Sequence, residues 1–315
     1  MGIVIEKALI TGGAGFIGSH IAEELVQQGC KVTILDNLTS GHLENLDPIK
    51  SHVDFIRGDI QDEKALEEVI PGCDVVFHEA AVVSVTKTVE APVSSTAVND
   101  LGTLKVLEAA RRNGVQRVVL ASSSAVYGDD PQLPKVESMT ARPLSPYAVQ
   151  KLTNEHYAML YNKLYGLEVV CLRYFNVYGP RQDPSSPYSG VISIFMTRAK
   201  HGAAPVIYGD GRQSRDFVYV KDVAQANILA ASHSAAPGQV FNVGTGNSIE
   251  INTLWDKIAG LAKCAATPEY ADFRPGDIVH STADIQKAGQ KMGFCPAVSL
   301  DQGLAHTYAW YKEQS

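Results

Sequence analysis

A doubly wound α/β fold, with a mostly parallel sheet covered by helices on both faces, is predicted by three observations. Short apolar segments alternate with helix-like ones from Lys7 onward. A glycine turn, Gly12-Gly13-Ala14-Gly15-Phe16-Ile17-Gly18, follows the first segment at once, and the second ends on an acid, Asp36. Repeated β-α units imply parallel strands, because each right-handed crossover needs a helix between neighbours. The expected class is therefore a Rossmann-type doubly wound parallel sheet, with a smaller mixed α/β domain beside it.

Taken in order, Lys7 to Thr11 reads as a strand, about Ser19 to Gln28 as a helix stopping near Gly29, and Lys31 to Leu35 as a second strand. Strand, glycine turn, helix, strand and acid are the parts of a dinucleotide site. Glycines permit a tight turn and close backbone approach, and a pyrophosphate meets the helix N-terminus. Asp36 would accept from a ribose 2′-hydroxyl and repel a 2′-phosphate, which favours NAD over NADP. The spacing is Gly-x-x-Gly-x-x-Gly (Gly12, Gly15, Gly18) rather than Gly-x-Gly-x-x-Gly.

The alternation continues with a strand over Val53 to Arg57, a helix over Glu63 to Ile70 and a strand over Asp74 to His78. A long helix is expected from Ser95 to Asn113 and a strand from Arg117 to Ser122. Ligands of such sheets bind beyond the carboxyl ends of the strands, where Asp59, Ala80, Ala81 and Ser122 to Ser124 fall. Asn99 lies on the long helix, and a structural polar contact is its plain reading. Glu168 to Leu172 is another strand, followed by a Pro-, Ser- and Gly-rich loop from Arg181 to Gly190 that marks the crossing into the smaller domain. Gln239 to Val243 returns as a strand, and Ile249 to Tyr311 alternates short helices with loops. The expected division is 1–175 with 217–244 returning to it, against 176–216 with 245–315.

A formal charge of −7 and a pI near 5.7 give no electrostatic footprint for nucleic acid. The five cysteines are far apart and form no Cys-x-x-Cys pair or zinc spacing, so reduced thiols and no metal are expected. No stretch approaches the ~18 apolar residues of a membrane span. A cytoplasmic protein without a membrane partner is the expectation.

Tyr147-Ala148-Val149-Gln150-Lys151 follows Ser145-Pro146 and opens an apolar-periodic run, so it belongs to the first turns of a helix. Positions i and i+4 share a helical face, so the phenol and the ammonium point the same way. A free tyrosine, with a pKa of about 10, is a poor base at neutral pH. A neighbouring cation is expected to favour the phenolate.

Thr11 to His20, Asp36-Asn37, Gly58-Asp59-Ile60, His78-x-Ala80-Ala81, Ser122-Ser123-Ser124-Ala125-Val126-Tyr127-Gly128 and Tyr147-x-x-x-Lys151 resemble the extended short-chain dehydrogenase/reductase family. Within it, the chain resembles UDP-hexose 4-epimerases over essentially its whole length. The resemblance implies a retained NAD, with Tyr147 as acid and base on a sugar 4-hydroxyl and Lys151 on the nicotinamide ribose. It places the hydroxyl partner on Ser123, with Ser124 as the alternative. Phe16, Ile17, Asn37, Ser40, Asp59, Ile60, Ala80, Ala81, Asn99, Ser122 and Phe175 join the glycines and Asp36 as cofactor residues.

For the substrate domain, the resemblance implies a UDP-sugar contacted by Ser84, Ser124, Asn176, Val191, Tyr208, Arg215, Arg274, Asp277 and Ser281. Tyr208 would face the uracil, Arg215 and Arg274 the diphosphate, and Asp277 the uridine ribose. Two arginines suit a diphosphate because guanidinium bonds are bidentate and charge-assisted. Related dehydratases and decarboxylases carry an acid where this chain has Ser124-Ala125, which favours simple epimerisation. Ser281 stands where relatives restricted to non-acetylated sugars have a tyrosine, and Ser84 matches relatives acting on acetylated ones. Acceptance of UDP-GlcNAc/UDP-GalNAc alongside UDP-glucose/UDP-galactose is therefore expected. A homodimer through the helices from Ser95 and Pro146 is also implied.

Overall fold

The computed structural model describes residues 2–183, 190–273 and 278–313. Its first half runs β1 (Lys7–Thr11), α1 (Phe16–Gln27), β2 (Lys31–Asp36), β3 (Val53–Arg57), α2 (Glu63–Val69) and β4 (Val75–His78). Then come α3 (Val85–Glu90), α4 (Pro92–Thr96), a π-helical turn (Ala97–Gly102), α5 (Thr103–Arg112), β5 (Arg117–Ser123) and α6 (Pro146–Tyr165). The second half runs β6 (Glu168–Tyr174), β7 (Asn176–Tyr178), α7 (Val191–Lys200), β8 (Val206–Tyr208), β9 (Ser214–Tyr219) and α8 (Val220–Ser232). It closes with β10 (Gln239–Val243), β11 (Ser248–Glu250), α9 (Ile251–Ala262), β12 (Glu269–Ala271), α10 (Gln286–Met292) and α11 (Leu300–Glu313).

Seven strands form one sheet in the order β10-β6-β5-β4-β1-β2-β3, and every neighbouring pair is parallel. The order reverses between β1 and β4, which opens a crevice at their carboxyl ends. Parallel sheets bury both faces, and the inner strands β1 and β4 are accordingly continuous buried runs, whereas the edge strand β3 exposes Asp54 and Arg57. Ala8, Ile10, Val75 and Phe77 pack towards α1 and α8, while Leu9, Val76, Val118 and Leu120 pack towards α2, α5 and α6. The Rossmann-type sheet of the sequence reading is therefore present.

A second, mixed sheet, β11-β9-β7, pairs β7 with β9 in parallel and β9 with β11 antiparallel. A two-stranded parallel pair, β12-β8, lies beside it. Its core gathers Phe195, Trp255, Ile258 and Leu304 from α7, α9 and α11. The two sheets meet at Asp216, which is fully buried and accepts from Thr245, Gly246 and Ala283 backbone N–H groups at 2.8–3.1 Å.

Three expectations need correction. The first helix starts at Phe16, not Ser19, because Gly15 already has the extended geometry of an N-cap. The long helix begins at Pro92, at a first helical position where proline is tolerated, and is interrupted by the π turn. The C-terminal stretch carries the short strands β11 and β12 besides its helices. Among the described residues, no helix is long and apolar enough to cross a membrane.

Candidate active site

The glycine turn between β1 and α1 leaves no room for a side chain at Gly12 or Gly18. A Cβ on Gly12, at φ +71°, would lie 2.7 Å from the Ala80 nitrogen, and one on Gly18 would lie 2.4 Å from the Gly12 carbonyl oxygen. Gly15 caps α1 with no side-chain hydrogen bond, so the backbone N–H groups of the first turn remain the local donors. Phe16 and Ile17 follow half-buried. This closely packed glycine floor against Ala80, with an acid on the next strand, fits a dinucleotide by its donor chemistry.

Asp36 ends β2 and accepts from Ala14 N at 3.0 Å and Leu38 N at 2.8 Å. Burial raises its pKa against those hydrogen bonds. Asn37 donates to Asp59 Oδ2 at 2.9 Å. Burial works to raise Asp59, but hydrogen bonds from Gln61 and Asn37 outweigh it and hold the carboxyl below its ordinary value. Ile60 is buried against Gly102 of the π turn, and Ser40 is exposed at the rim.

A directed hydrogen-bond chain holds the floor in place. Thr103 donates to Asn99 O at 2.6 Å, so His78 Nε2 donates to Thr103 Oγ1 at 2.9 Å. His78 Nδ1 is then the acceptor from Thr11 at 2.7 Å. Burial, reinforced by the nearby Lys151 charge, pushes His78 down to about 3 and keeps it neutral. Asn99 spends its amide on Val82 N (2.7 Å), Val82 O (3.0 Å) and Gln150 Oε1 (2.7 Å), which pins the Ala80-Ala81-Val82 segment to the helices. What Asn99 does in this structure is position that backbone.

Tyr147 is the second residue of α6, whose start is fixed by Pro146 and by Ser145 accepting from Ala148 N at 3.2 Å. Lys151, one turn on, lies with its ammonium 5.8 Å from the Tyr147 ring centroid and donates to Ala121 O at 2.8 Å. The serine set against the phenol is Ser123. It ends β5 and also accepts from Ala125 N at 3.1 Å. Ser122 points elsewhere, donating to Glu155 Oε1 at 2.5 Å in a buried ion pair with Arg173. Ser124 is half-buried and opens the 3-10 turn Ser124–Tyr127.

The expectation that Lys151 lowers the Tyr147 pKa is not met in this protein by itself. Burial pushes the phenol up to about 12, Ser123 opposes it and the negative Glu79 adds to it. Burial likewise brings Lys151 down to about 8, against the pull of Glu79. Desolvation of the charged form is the largest cause for both groups.

Glu79, between His78 and Ala80, is a site residue to which the sequence reading gave no role. Tyr174 donates to its Oε1 at 2.8 Å. The Glu155–Arg173 pair beneath Ser122 was also missed, although Tyr147, Lys151 and Glu155 share i, i+4, i+8 spacing, a signal that could have found it.

On the other side of the crevice, Phe175 is buried, with its ring 6.4 Å from that of Tyr127. Asn176 opens β7 and Val191 opens α7, both half-buried. Ser84 caps α3 by accepting from Lys87 N at 3.1 Å. Tyr208 ends β8 beside Gly209, over which Phe273 lies. Arg215 donates to Ser214 O at 2.9 Å and Val279 O at 3.0 Å, tying β9 to the segment that carries Ser281. Ser281 is 7% exposed, and its N–H donates to Ser214 O at 3.1 Å. Arg274 and Asp277 lie outside the described residues.

A cavity of about 590 Å³ between α1, the Pro180–Arg181 segment and α11 contains none of these groups. Its His20 is pushed down to about 4, chiefly by burial, and its Nε2 bonds Pro180 O at 3.1 Å.

A family profile described as the NAD dependent epimerase/dehydratase family matches residues 8–244. The chain is 41% identical to a putative UDP-glucose 4-epimerase of Methanocaldococcus jannaschii, over 98% of this chain and 99% of that one. Among solved structures it is similar to a UDP-N-acetylglucosamine 4-epimerase from Methanobrevibacter ruminantium M1 in complex with UDP-N-acetylmuramic acid. That match has 43% identity and a TM-score of 0.95, covering 99% of this chain and 100% of that one. It is also similar to a Thermus thermophilus UDP-glucose 4-epimerase in complex with NAD, at 40% identity and a TM-score of 0.89, covering 98% and 100%.

Proposed function

We propose, from the premise that the chain belongs to the NAD dependent epimerase/dehydratase family, that it inverts C4 of a UDP-hexose through a 4-keto intermediate. The observation that carries this reading is the set of Ser123, Tyr147 and Lys151 at the carboxyl ends of the strands, beyond a glycine floor. NAD, the family's cofactor, supplies reversible hydride acceptance when bound. Gly12, Gly15 and Gly18 with the first turn of α1 would hold its diphosphate, Asp36 an adenosine ribose, and Lys151 the other ribose.

Tyr147 takes the proton of the 4-hydroxyl and later returns it on the other face of the sugar. Ser123 shares that hydrogen bond and fixes the direction of the hydroxyl. A phenol at about 12 in this protein must be brought nearer working pH for the exchange to be efficient. A cationic ring and the Lys151 ammonium in the filled site would both act in that direction. Dehydration needs an acid beside the sugar that Ser124-Ala125 does not provide.

For the substrate, Tyr208 stacks on the uracil and Arg215 neutralises the diphosphate, with Arg274 and Asp277 added by resemblance. Ser281 leaves space at C2 for an N-acetyl group, a reading supported by the likeness to an N-acetylglucosamine epimerase. Ser84 acts there through its small size, since its hydroxyl caps α3. Separate incubation with UDP-glucose and UDP-GlcNAc, followed by resolution of products by C4 configuration, tests the assignment. Conversion of neither would end it. Ser281→Tyr is expected to suppress turnover of the acetylated pair at least ~10-fold while sparing the other pair, because overfilling a pocket costs about 1–3 kcal/mol.

The protein acts as a homodimer in this reading. Val93, Leu101, Val149, Leu160 and Leu164 form an exposed apolar set on α4, the π turn and α6. An apolar surface of this kind marks an interaction site.

A further inference from the structure

Glu79 lies at the carboxyl end of β4, its N–H donating to Thr11 O at 3.1 Å, so its backbone is fixed by the sheet. Its side chain is fixed from the opposite side. Asn227 of α8 donates through Nδ2 to Val223 O at 2.9 Å and to the Tyr174 hydroxyl at 2.8 Å. Those two bonds orient the amide, whose Oδ1 is a second acceptor 3.1 Å from the Tyr174 hydroxyl. The single Tyr174 proton is drawn to Glu79 Oε1, the shorter contact at 2.8 Å and a charge-assisted one when the carboxyl is ionised. Oε1 is then the acceptor at the end of a chain from Asn227 through Tyr174.

We propose that Glu79 is a positioning residue for the acid–base tyrosine: its carboxyl, clamped by Tyr174 and Asn227, is the counter-charge of Lys151 and the like charge set against the Tyr147 phenolate. This rests on Tyr147 being the group that exchanges the substrate proton. The charged and titratable groups around the carboxyl are His78 from its own strand, Tyr174 from β6, and Tyr147 and Lys151 from α6. Asp100, Cys171 and Glu155 act more remotely, through Lys151. With His78 held neutral, Lys151 is the cation in this group and Glu79 its strongest electrostatic partner.

Two opposing effects follow from one negative charge. It keeps Lys151 protonated in a site whose burial disfavours the ammonium, and it raises the cost of forming the Tyr147 phenolate. Burial places the carboxyl itself at about 7, against the Tyr174 hydrogen bond, so its charge changes within the working range of pH. Below that pH Glu79 is neutral and the phenolate forms more easily. Above it, the carboxylate anchors the ammonium and the phenol holds its proton more tightly.

The test titrates the Tyr147 phenol by tyrosinate difference absorbance in the holoenzyme, subtracting a matched Tyr147→Phe protein from wild type, Glu79→Gln and Tyr174→Phe. In parallel, kcat for epimerisation is recorded against pH. Removing a negative charge beside a phenol favours the phenolate, so the midpoint and the acidic limb of kcat in Glu79→Gln should both move down by about one pH unit. Tyr174→Phe, which removes the donor that holds the carboxylate charged, should move them the same way by less. Glu79→Asp should return towards wild type. Unmoved midpoints in folded Glu79→Gln and Tyr174→Phe proteins would overturn the proposal. If Glu79→Gln does not fold, Tyr174→Phe decides alone. A wild-type protein that epimerises neither sugar would sink the enzymatic reading, yet the absorbance titration would still decide on Glu79.

Discussion

At the scale of single residues, the site is a contest between burial and pairing, and the magnitudes decide it. Tyr147 and Lys151 are both driven towards their neutral forms, to about 12 and about 8, because each is desolvated. Lys151 is thereby left close to its titration point, whereas Tyr147 needs the filled site to bring it nearer working pH before it can exchange a proton efficiently. Tyr147→Phe should lower kcat about 10²- to 10⁴-fold, the usual worth of a positioned acid–base group, while leaving bound NAD unchanged. Turnover of either UDP-sugar and the cofactor content of the purified protein check both halves. The Tyr147–Lys151 spacing is legible in the sequence because it lies within one helix. Glu79, Tyr174 and Asn227 are not, because β4, β6 and α8 meet only through the sheet order. Ser123 could be separated from Ser124 only once the end of β5 was seen to continue to residue 123.

The element that does most for the cofactor site is the turn from β1 into α1. Its glycines, the following strand and Asp36 can all be read from sequence, because the turn's requirements are local. What cannot be read is the far wall. Ala80, 68 residues after Gly12, is the group that closes on the turn, and the His78 relay and the Asn99 amide hold it there. Gly18→Ala would drive a methyl to 2.4 Å from the Gly12 carbonyl oxygen, and the backbone must shift to relieve it. The expected result is a folded protein purified with at least ~10-fold less NAD, because a shift of the turn spoils the close backbone approach that the diphosphate needs. Cofactor content and circular dichroism measure it. The π turn at Ala97–Gly102 was equally hidden, since nothing in residue spacing distinguishes it from an ordinary helix.

For the whole molecule, two buried histidines lower stability in acid, and Glu79, whose carboxyl burial raises to about 7, partly offsets them because the fold takes up its proton more readily than the unfolded chain. His20 and His78 take a proton at about 6.5 when unfolded but only at about 4 and about 3 in the fold. The unfolded chain therefore binds more protons below that upper value, and stability falls as the pH drops from about 6.5, levelling off below about 3. The losses are on the order of 3 kcal/mol for His20 and 5 kcal/mol for His78. Between neutral pH and about pH 4.5, the urea midpoint should fall less in His78→Asn than in wild type, and further in Glu79→Gln, which removes the offset. The parallel sheet itself also has a consequence for how the chain is made. β10 pairs with β6, yet more than sixty residues separate Tyr174 from Gln239, including all of β7, β8 and β9. On a ribosome, β1 to β6 emerge first and can assemble around the glycine turn. The outer edge of β6 then waits, unpaired, while β7, β8, β9 and α8 are synthesised. An unpaired strand edge recruits other strands, so the slow return of β10 is the moment at which a nascent chain is most exposed to wrong partners.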